Sequence, residues 1–200
     1  MTSRRDFLKN AGAGAAGGLL GAGASGALAS PQSAADNGWA RGSKLGISTY
    51  SYWHFDGEPV PITDVIDEAS AIGVGAVDVL HRQMPRETPE YARELRRYAF
   101  EQGVDLICLS IHQDFVTPDE RQRQHHVNHT KYALELAAQM GIPCIRVNSG
   151  RWGTIDSFDT LMAEGGNEPP LEGYSEDDAY RWCIEAFEKC VPVAREKGVV

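Results

Sequence analysis

Positive charge is scarce in this chain: 19 lysines and arginines stand against 28 aspartates and glutamates, a net charge of -9. Once Arg4, Arg5, Lys9 and Asp6 of the first 29 residues are set aside, the remainder carries -11. A surface of that sign repels a phosphate backbone, which argues against nucleic-acid binding. Close-spaced cysteine pairs are missing as well. Cys108 and Cys144 fall in strand-like stretches, and Cys183 and Cys190 share one helical stripe. Small buried hydrophobes are the expectation for all four, with a disulfide as the alternative in an oxidising compartment. The third absence is an undiluted apolar run. The uncharged stretch Ala11–Leu28 holds seven glycines and makes a poor permanent membrane span.

What is present is an ordinary globular composition, 42% hydrophobic and 24% charged, with enough chain for one sizeable core. The first residues are an exception. Ser3-Arg4-Arg5-Asp6-Phe7-Leu8-Lys9 resembles the twin-arginine export motif, and the run Ala11–Leu28 then leads to a small-residue site, Ala27-Leu28-Ala29. Residues 1–29 are therefore read as a signal peptide, with an uncleaved anchor as the alternative. The resemblance implies delivery of an already folded protein to the periplasm or beyond, and a metal loaded in the cytoplasm would fit that route. Residues 30–43 lack an apolar period and read as a flexible leader, and 44–200 as the folded domain.

One cassette recurs in that domain: a helix end, a glycine, an apolar β-branched residue and a strand. It appears at Gly73-Val74, Gly103-Val104, Gly141-Ile142 and Gly198-Val199. Repeated helix-then-strand units imply a parallel sheet. The strands are expected at Lys44–Tyr50, Ala76–Leu80, Val104–His112 and Cys144–Asn148, with helices from Ile62, Thr88-Pro89, a capping box at Thr117–Glu120, and Ser175. Pro192 is expected to kink the last helix. In the third strand, Ile107, Leu109 and Ile111 are assigned to the helix-facing side.

The opposite face of these strands reads Ser48 and Tyr50, Asp78, Ser110 and His112, Arg146 and Asn148. A doubly wound sheet needs both faces apolar, whereas a polar second face suits a barrel interior that leads to a site at the strands' C-terminal ends. The loops there carry Trp53 and His54, His81, and Arg151 with Trp152. Arg151 suits hydroxyls or phosphate, and Trp152 suits stacking on a sugar ring. Asp78 either orients substrate hydroxyls or pairs with Arg146 across the interior. Ser149–Tyr174 is long for such a connection and strongly acidic, either a cover for a polyol or an oligomer contact. His125, His126 and His129 on the third helix read as a solvated face.

Leu45–Tyr50, Gly75–Leu80, Leu109–His112 and Met140–Gly150 together resemble the sugar phosphate isomerase/epimerase family with the xylose isomerase-like TIM barrel. The resemblance implies an α/β fold, a (β/α)8 barrel of which the chain holds about four units and the start of strand five, and hence a truncated chain. It implies a metal-dependent isomerase or epimerase that moves a proton beside a carbonyl of a sugar, sugar phosphate or cyclitol. A divalent ion (Mn, Mg, Co or Zn) is expected, its carboxylate and histidine ligands beyond Val200. His112 holds the place of a histidine that binds substrate in the isomerases and helps bind metal in the related endonucleases. The alternatives are an exported carbohydrate-binding barrel without turnover and an endonuclease-type metal phosphodiesterase. A homo-oligomer is compatible with either reading.

Overall fold

The computed structural model describes residues 45–53 and 57–200; the signal-peptide and leader assignments, Lys44 and His54 lie outside these. Four parallel strands form one sheet in the order β1 (Ile47–Ser48), β2 (Ala76–Leu80), β3 (Asp105–Ile111), β4 (Ile145–Val147). The helices α1 (Ile62–Ala71), α2 (Pro89–Glu101) and α3 (Glu120–Met140) link them. After β4 come a short α4 (Phe158–Ala163) and a long α5 (Glu176–Lys197). Val200 extends the pattern. Its N–H donates to Pro143 O (3.0 Å) and its carbonyl accepts from Ile145 N (2.7 Å), so it lies along the free edge of β4.

The repeated cassette has a common backbone origin. Gly73, Gly103, Gly141 and Gly198 all sit at φ between 66° and 76°, the left-handed region that glycine enters without steric cost. The β-branched residue after each glycine donates its N–H back to an alanine carbonyl: Val74 to Ala69, Val104 to Ala99, Ile142 to Ala137 and Val199 to Ala194, at 2.8–3.0 Å. Each of these four helices therefore ends in the same Schellman turn, which leads the chain on toward the sheet. The helix starts are equally local. Thr88 Oγ1 accepts from Tyr91 N ahead of Pro89, and Ser175 with Asp178 forms a reciprocal capping box.

Three expectations need correction. The first strand is only two residues long, because Thr49 turns inward at the start of a 3-10 turn and its Oγ1 accepts from Leu80 N at 2.8 Å. The N-cap of α3 is Asp119, whose carboxylate accepts from Arg121 N and Gln122 N, rather than Thr117. In β3 the alternation slips: Val77 pairs with Leu106 but Asp78 with Cys108, so Ile107 is bulged out of register. Leu106, Leu109 and Ile111 face the helices, while Ile107 is 36% exposed and approaches Gly46.

The core between sheet and helices contains Ile62, Ile66, Val77, Val79, Leu95, Leu109, Ile111, Phe115, Leu134 and Leu136, all at most 2% exposed. A second cluster of Val116, Trp152, Ala179 and Trp182 lies where the loop after β4 meets α5. The face of the sheet away from the helices carries Ser48, Asp78, Ser110 and Arg146.

Candidate functional site

That polar face is one connected ladder. Ser48 and Ser110 donate their hydroxyls to the two oxygens of Asp78, at 2.6 and 2.7 Å. Arg146 Nε donates to Ser110 Oγ (3.0 Å) and its Nη1 to Asn148 Oδ1 (3.0 Å). The ladder climbs from β1 to β4 one strand at a time. Asp78 and Arg146 are thus joined through Ser110, itself 1% exposed, and not by the direct pairing that was one reading of Asp78. Lower on the same face Cys108 stands beside Cys144, which the register of Leu109 with Ile145 places side by side. Burial first, then Asp78 and Cys144, push the Cys108 thiol up to about 12. All four cysteines are free thiols.

Above the ladder, at the strands' C-terminal ends, stands His112. Its Nε2 lies 3.4 Å from Arg146 Nη2, which can only donate, a contact that suits a neutral ring with its proton on Nδ1. Burial, followed by the charges of Arg146, Arg82 and His81, holds its pKa below the ordinary histidine range. Three rings surround it. Trp53 stacks at 6.3 Å between centroids, and Tyr50 and His81 meet it edge-on at 5.6 and 5.9 Å. A cleft of about 720 Å³ opens beside it, lined by Arg82, His112, Asp114, Asn148 and Arg151 among others. An imidazole, amides and guanidinium groups around one cleft, with the Tyr50 and Trp53 rings packed on the imidazole, can bind a polyol by hydrogen bonds.

Two expected sugar contacts are also held by protein groups. Trp152 is 8% exposed, packs edge-on to Trp182 at 5.9 Å, and donates Nε1–H to Glu176 at 3.1 Å. Only a small part of the residue stays exposed, at a second pocket that it lines with Glu168 and Phe187. Arg151 borders the cleft, but its Nη1 is held by Glu168 at 3.1 Å. That same carboxylate, 4% exposed, also accepts from Gly153 N and Ile155 N. Glu168 therefore clasps the long acidic loop into a folded strap. At the start of this loop Gly150 has φ 102°, and a Cβ there would run into the backbone and carboxylate of Asp114.

Glu87, Gln113, His126 and His129 were not expected at the site. Glu87 Oε1 accepts from His81 Nδ1 and Oε2 from His129 Nε2, both at 2.7 Å. These two bonds are the main reason its carboxyl is held down at about 2. Gln113, 4% exposed, spans the loop after β3 and α3. Its Nε2 donates to His129 Nδ1 (2.8 Å) and Thr130 Oγ1 (2.9 Å), and its Oε1 accepts from His126 Nδ1 (2.9 Å). Two of the three helix histidines thus turn inward; His125 alone is exposed. Nothing in the spacing of positions 81, 87, 113 and 129 announces this meeting.

His81, Glu87 and His129 offer three ligand atoms within 4.8 Å of one another, the donor types that a divalent ion takes. Their surroundings do not fit one. A histidine ligand turns a lone pair to the ion and its other nitrogen, protonated, to an acceptor. Here the other nitrogen of each ring faces a donor: His81 Nε2 accepts from His112 N at 3.2 Å, and His129 Nδ1 accepts from the Gln113 amide. A proton on each ring nitrogen that faces Glu87 satisfies both 2.7 Å contacts without an ion.

Residues 66–200 match the family described as xylose isomerase-like TIM barrel, and the chain belongs to that family. Solved structures agree on the fold. D-psicose 3-epimerase from Clostridium cellulolyticum H10, with D-tagatose, is 17% identical with a TM-score of 0.60, over 78% of this chain and 50% of that one. The 3-keto-D-glucoside 4-epimerase of E. coli is 17% identical with a TM-score of 0.57, over 78% and 54%. A sugar phosphate isomerase/epimerase from Parabacteroides distasonis ATCC 8503 is 12% identical with a TM-score of 0.52, over 85% and 54%. The chain spans about half the length of these structures. No curated protein sequence matches it.

Proposed function

We propose that this chain forms the substrate-positioning wall of a sugar isomerase or epimerase that moves a proton beside a carbonyl. One observation carries the reading: the Ser48–Asp78–Ser110–Arg146 ladder rises across four parallel strands and ends at His112 and Asn148 on the rim of a cleft. The strands' C-terminal ends are where barrels of this kind place their reactive groups. Sugar epimerases among the structural neighbours support the same direction.

The chemistry of this wall follows from its hydrogen bonds. With Nε2 accepting from Arg146, His112 has its Nδ1–H left to donate to a substrate hydroxyl or carbonyl oxygen. Trp53 and Tyr50 offer apolar faces to the C–H side of a sugar, and Asn148 a further amide. The substrate class is a sugar, sugar phosphate or cyclitol. A divalent metal is part of the reading, with ligands other than His81, Glu87 and His129. The test is solvent deuterium exchange by the full-length protein, supplied in turn with Mn, Mg, Co and Zn, at the carbon next to the carbonyl of ketoses and inososes. Metal-dependent exchange with at least one substrate is expected. Binding of a sugar with no exchange across the panel would instead favour a carbohydrate-binding barrel.

Export through the twin-arginine route completes the proposal, on the strength of Arg4-Arg5 and the glycine-diluted run that follows. No helix among the described residues is long and apolar enough to cross a membrane. Replacing both arginines with lysine is expected to keep the protein in the cytoplasm; periplasmic recovery at the wild-type level would refute this route.

A further inference from the structure

We propose that Glu87 is a positioning residue, which sets the tautomers of His81 and His129 and through His81 anchors the backbone of His112 at the cleft. The inference rests on the reading of His112 as a substrate-facing group. Its structural half stands independently.

The argument is one of donors and acceptors. A neutral imidazole has one donor and one acceptor nitrogen, and which is which depends on its neighbours. The His112 backbone N–H points at His81 Nε2 (3.2 Å), so Nε2 must be the acceptor and Nδ1 must carry the proton. That proton needs an acceptor, and Glu87 Oε1 lies 2.7 Å away. On the other side the Gln113 amide points at His129 Nδ1, so His129 carries its proton on Nε2, 2.7 Å from Glu87 Oε2. A carboxylate is the one side-chain group there that can accept from both rings at once. Glu87 is itself tied down, since Tyr132 of α3 donates its hydroxyl to the Glu87 carbonyl at 2.6 Å. The chain of bonds therefore runs from α3 through Glu87 and His81 to the main chain of His112.

The His81 and His129 rings, 5.2 Å apart, and the carboxylate between them are only partly exposed, at 12%, 23% and 27% of their side chains. Neither ring needs to be cationic for the set to be satisfied, which distinguishes it from an ordinary ion pair. Replacement by glutamine supplies one acceptor oxygen and one donor NH2 in place of two acceptors. Only one of the two histidines can then keep its tautomer.

Imidazole ¹⁵N spectra of the full-length protein read this directly. The wild type is expected to show His81 protonated on Nδ1, the less common tautomer, and His129 on Nε2. In Glu87→Gln one of these is expected to change, the His112 amide signal to move, and kcat/KM to fall by at least about tenfold with a smaller change in KM than in kcat. The opposite tautomer at His81 in the wild type would overturn the proposal even if no variant folds. So would a Glu87→Gln protein with an unmoved His112 amide and wild-type kcat/KM. Coordination shifts at His81 Nδ1 and His129 Nε2 on adding Zn²⁺ would show a metal site instead. A wild type that turns over no substrate would refute the enzymatic reading, while the tautomers and the His112 amide would still decide the role of Glu87.

Discussion

Removing the Glu168 carboxylate tests whether the acidic strap is a clasped structure or a loose insertion. The Glu168 side chain is 4% exposed and accepts three hydrogen bonds, from Arg151 Nη1, Gly153 N and Ile155 N, each at 3.1 Å. A hydrogen bond to a charged group contributes ~1.5–3 kcal/mol net. Glu168→Ala would lose three of them, but they fail together and water can reach the freed N–H groups once the strap opens. The expected cost is that of one cooperative clasp, about 3 kcal/mol, and not the sum of three. Leu161 is the one buried residue of α4, so the loss should appear as local opening rather than global unfolding. Hydrogen exchange followed by mass spectrometry is the assay. Amides of 151–157 and 161–169 are expected to exchange ~10²-fold faster, with those of β2 and β3 unchanged. Glu168→Gln, which keeps one carbonyl acceptor, should lie between. Unchanged exchange at 151–157 would refute the clasp, and equal acceleration in β3 would refute its local nature.

Three further outcomes follow from other parts of the site. Glu87 is held at about 2 against an ordinary value of 4.5, so it contributes stability that is present above pH ~4.5 and lost as pH falls toward 2. Chemical denaturation across that range should show a loss of roughly 1–3 kcal/mol that Glu87→Gln removes; an unaltered pH dependence in the variant would count against the two histidine bonds. With its thiol at about 12, Cys108 should resist iodoacetamide at pH 8 in the native state and react fully once denatured; rapid native labelling at this cysteine by peptide mapping would contradict its placement. Trp152→Ala should cost ~3–5 kcal/mol by denaturant melts because the ring is packed in the second core cluster. Trp53→Ala should leave stability within about 1 kcal/mol and weaken substrate use, and the reverse ranking would restore Trp152 as the sugar contact.

The features legible in the sequence were those decided by neighbouring residues. Glycine after a helix, proline after threonine and alternation in β2 each act within a few positions, and the four Schellman turns, the Thr88 cap and the Asp78 side of the sheet follow from them. The polar ladder was legible for the same reason, since alternation assigns a face before any partner is known. Where a tertiary contact outbid the local pattern, the reading failed. Thr49 left the strand because its hydroxyl bonds Leu80 N, and Ile107 changed face because a bulge absorbs one residue. The Glu87 network was invisible for a deeper reason. Its members come from two loops and a helix, and periodicity says nothing about which loop side chain will meet a helix 42 residues further along.

The central claim is that the rim of the polar ladder positions a sugar for proton transfer, and His112→Ala in the full-length protein tests it most directly. His112 sits at the cleft and fills little of the core, so the melting temperature should stay within a few degrees. Metal-dependent deuterium exchange at the carbon beside the carbonyl should fall by ~10²-fold or more in kcat/KM, the scale of losing a positioning or acid–base group. Exchange at the wild-type rate in a folded His112→Ala protein would contradict the account.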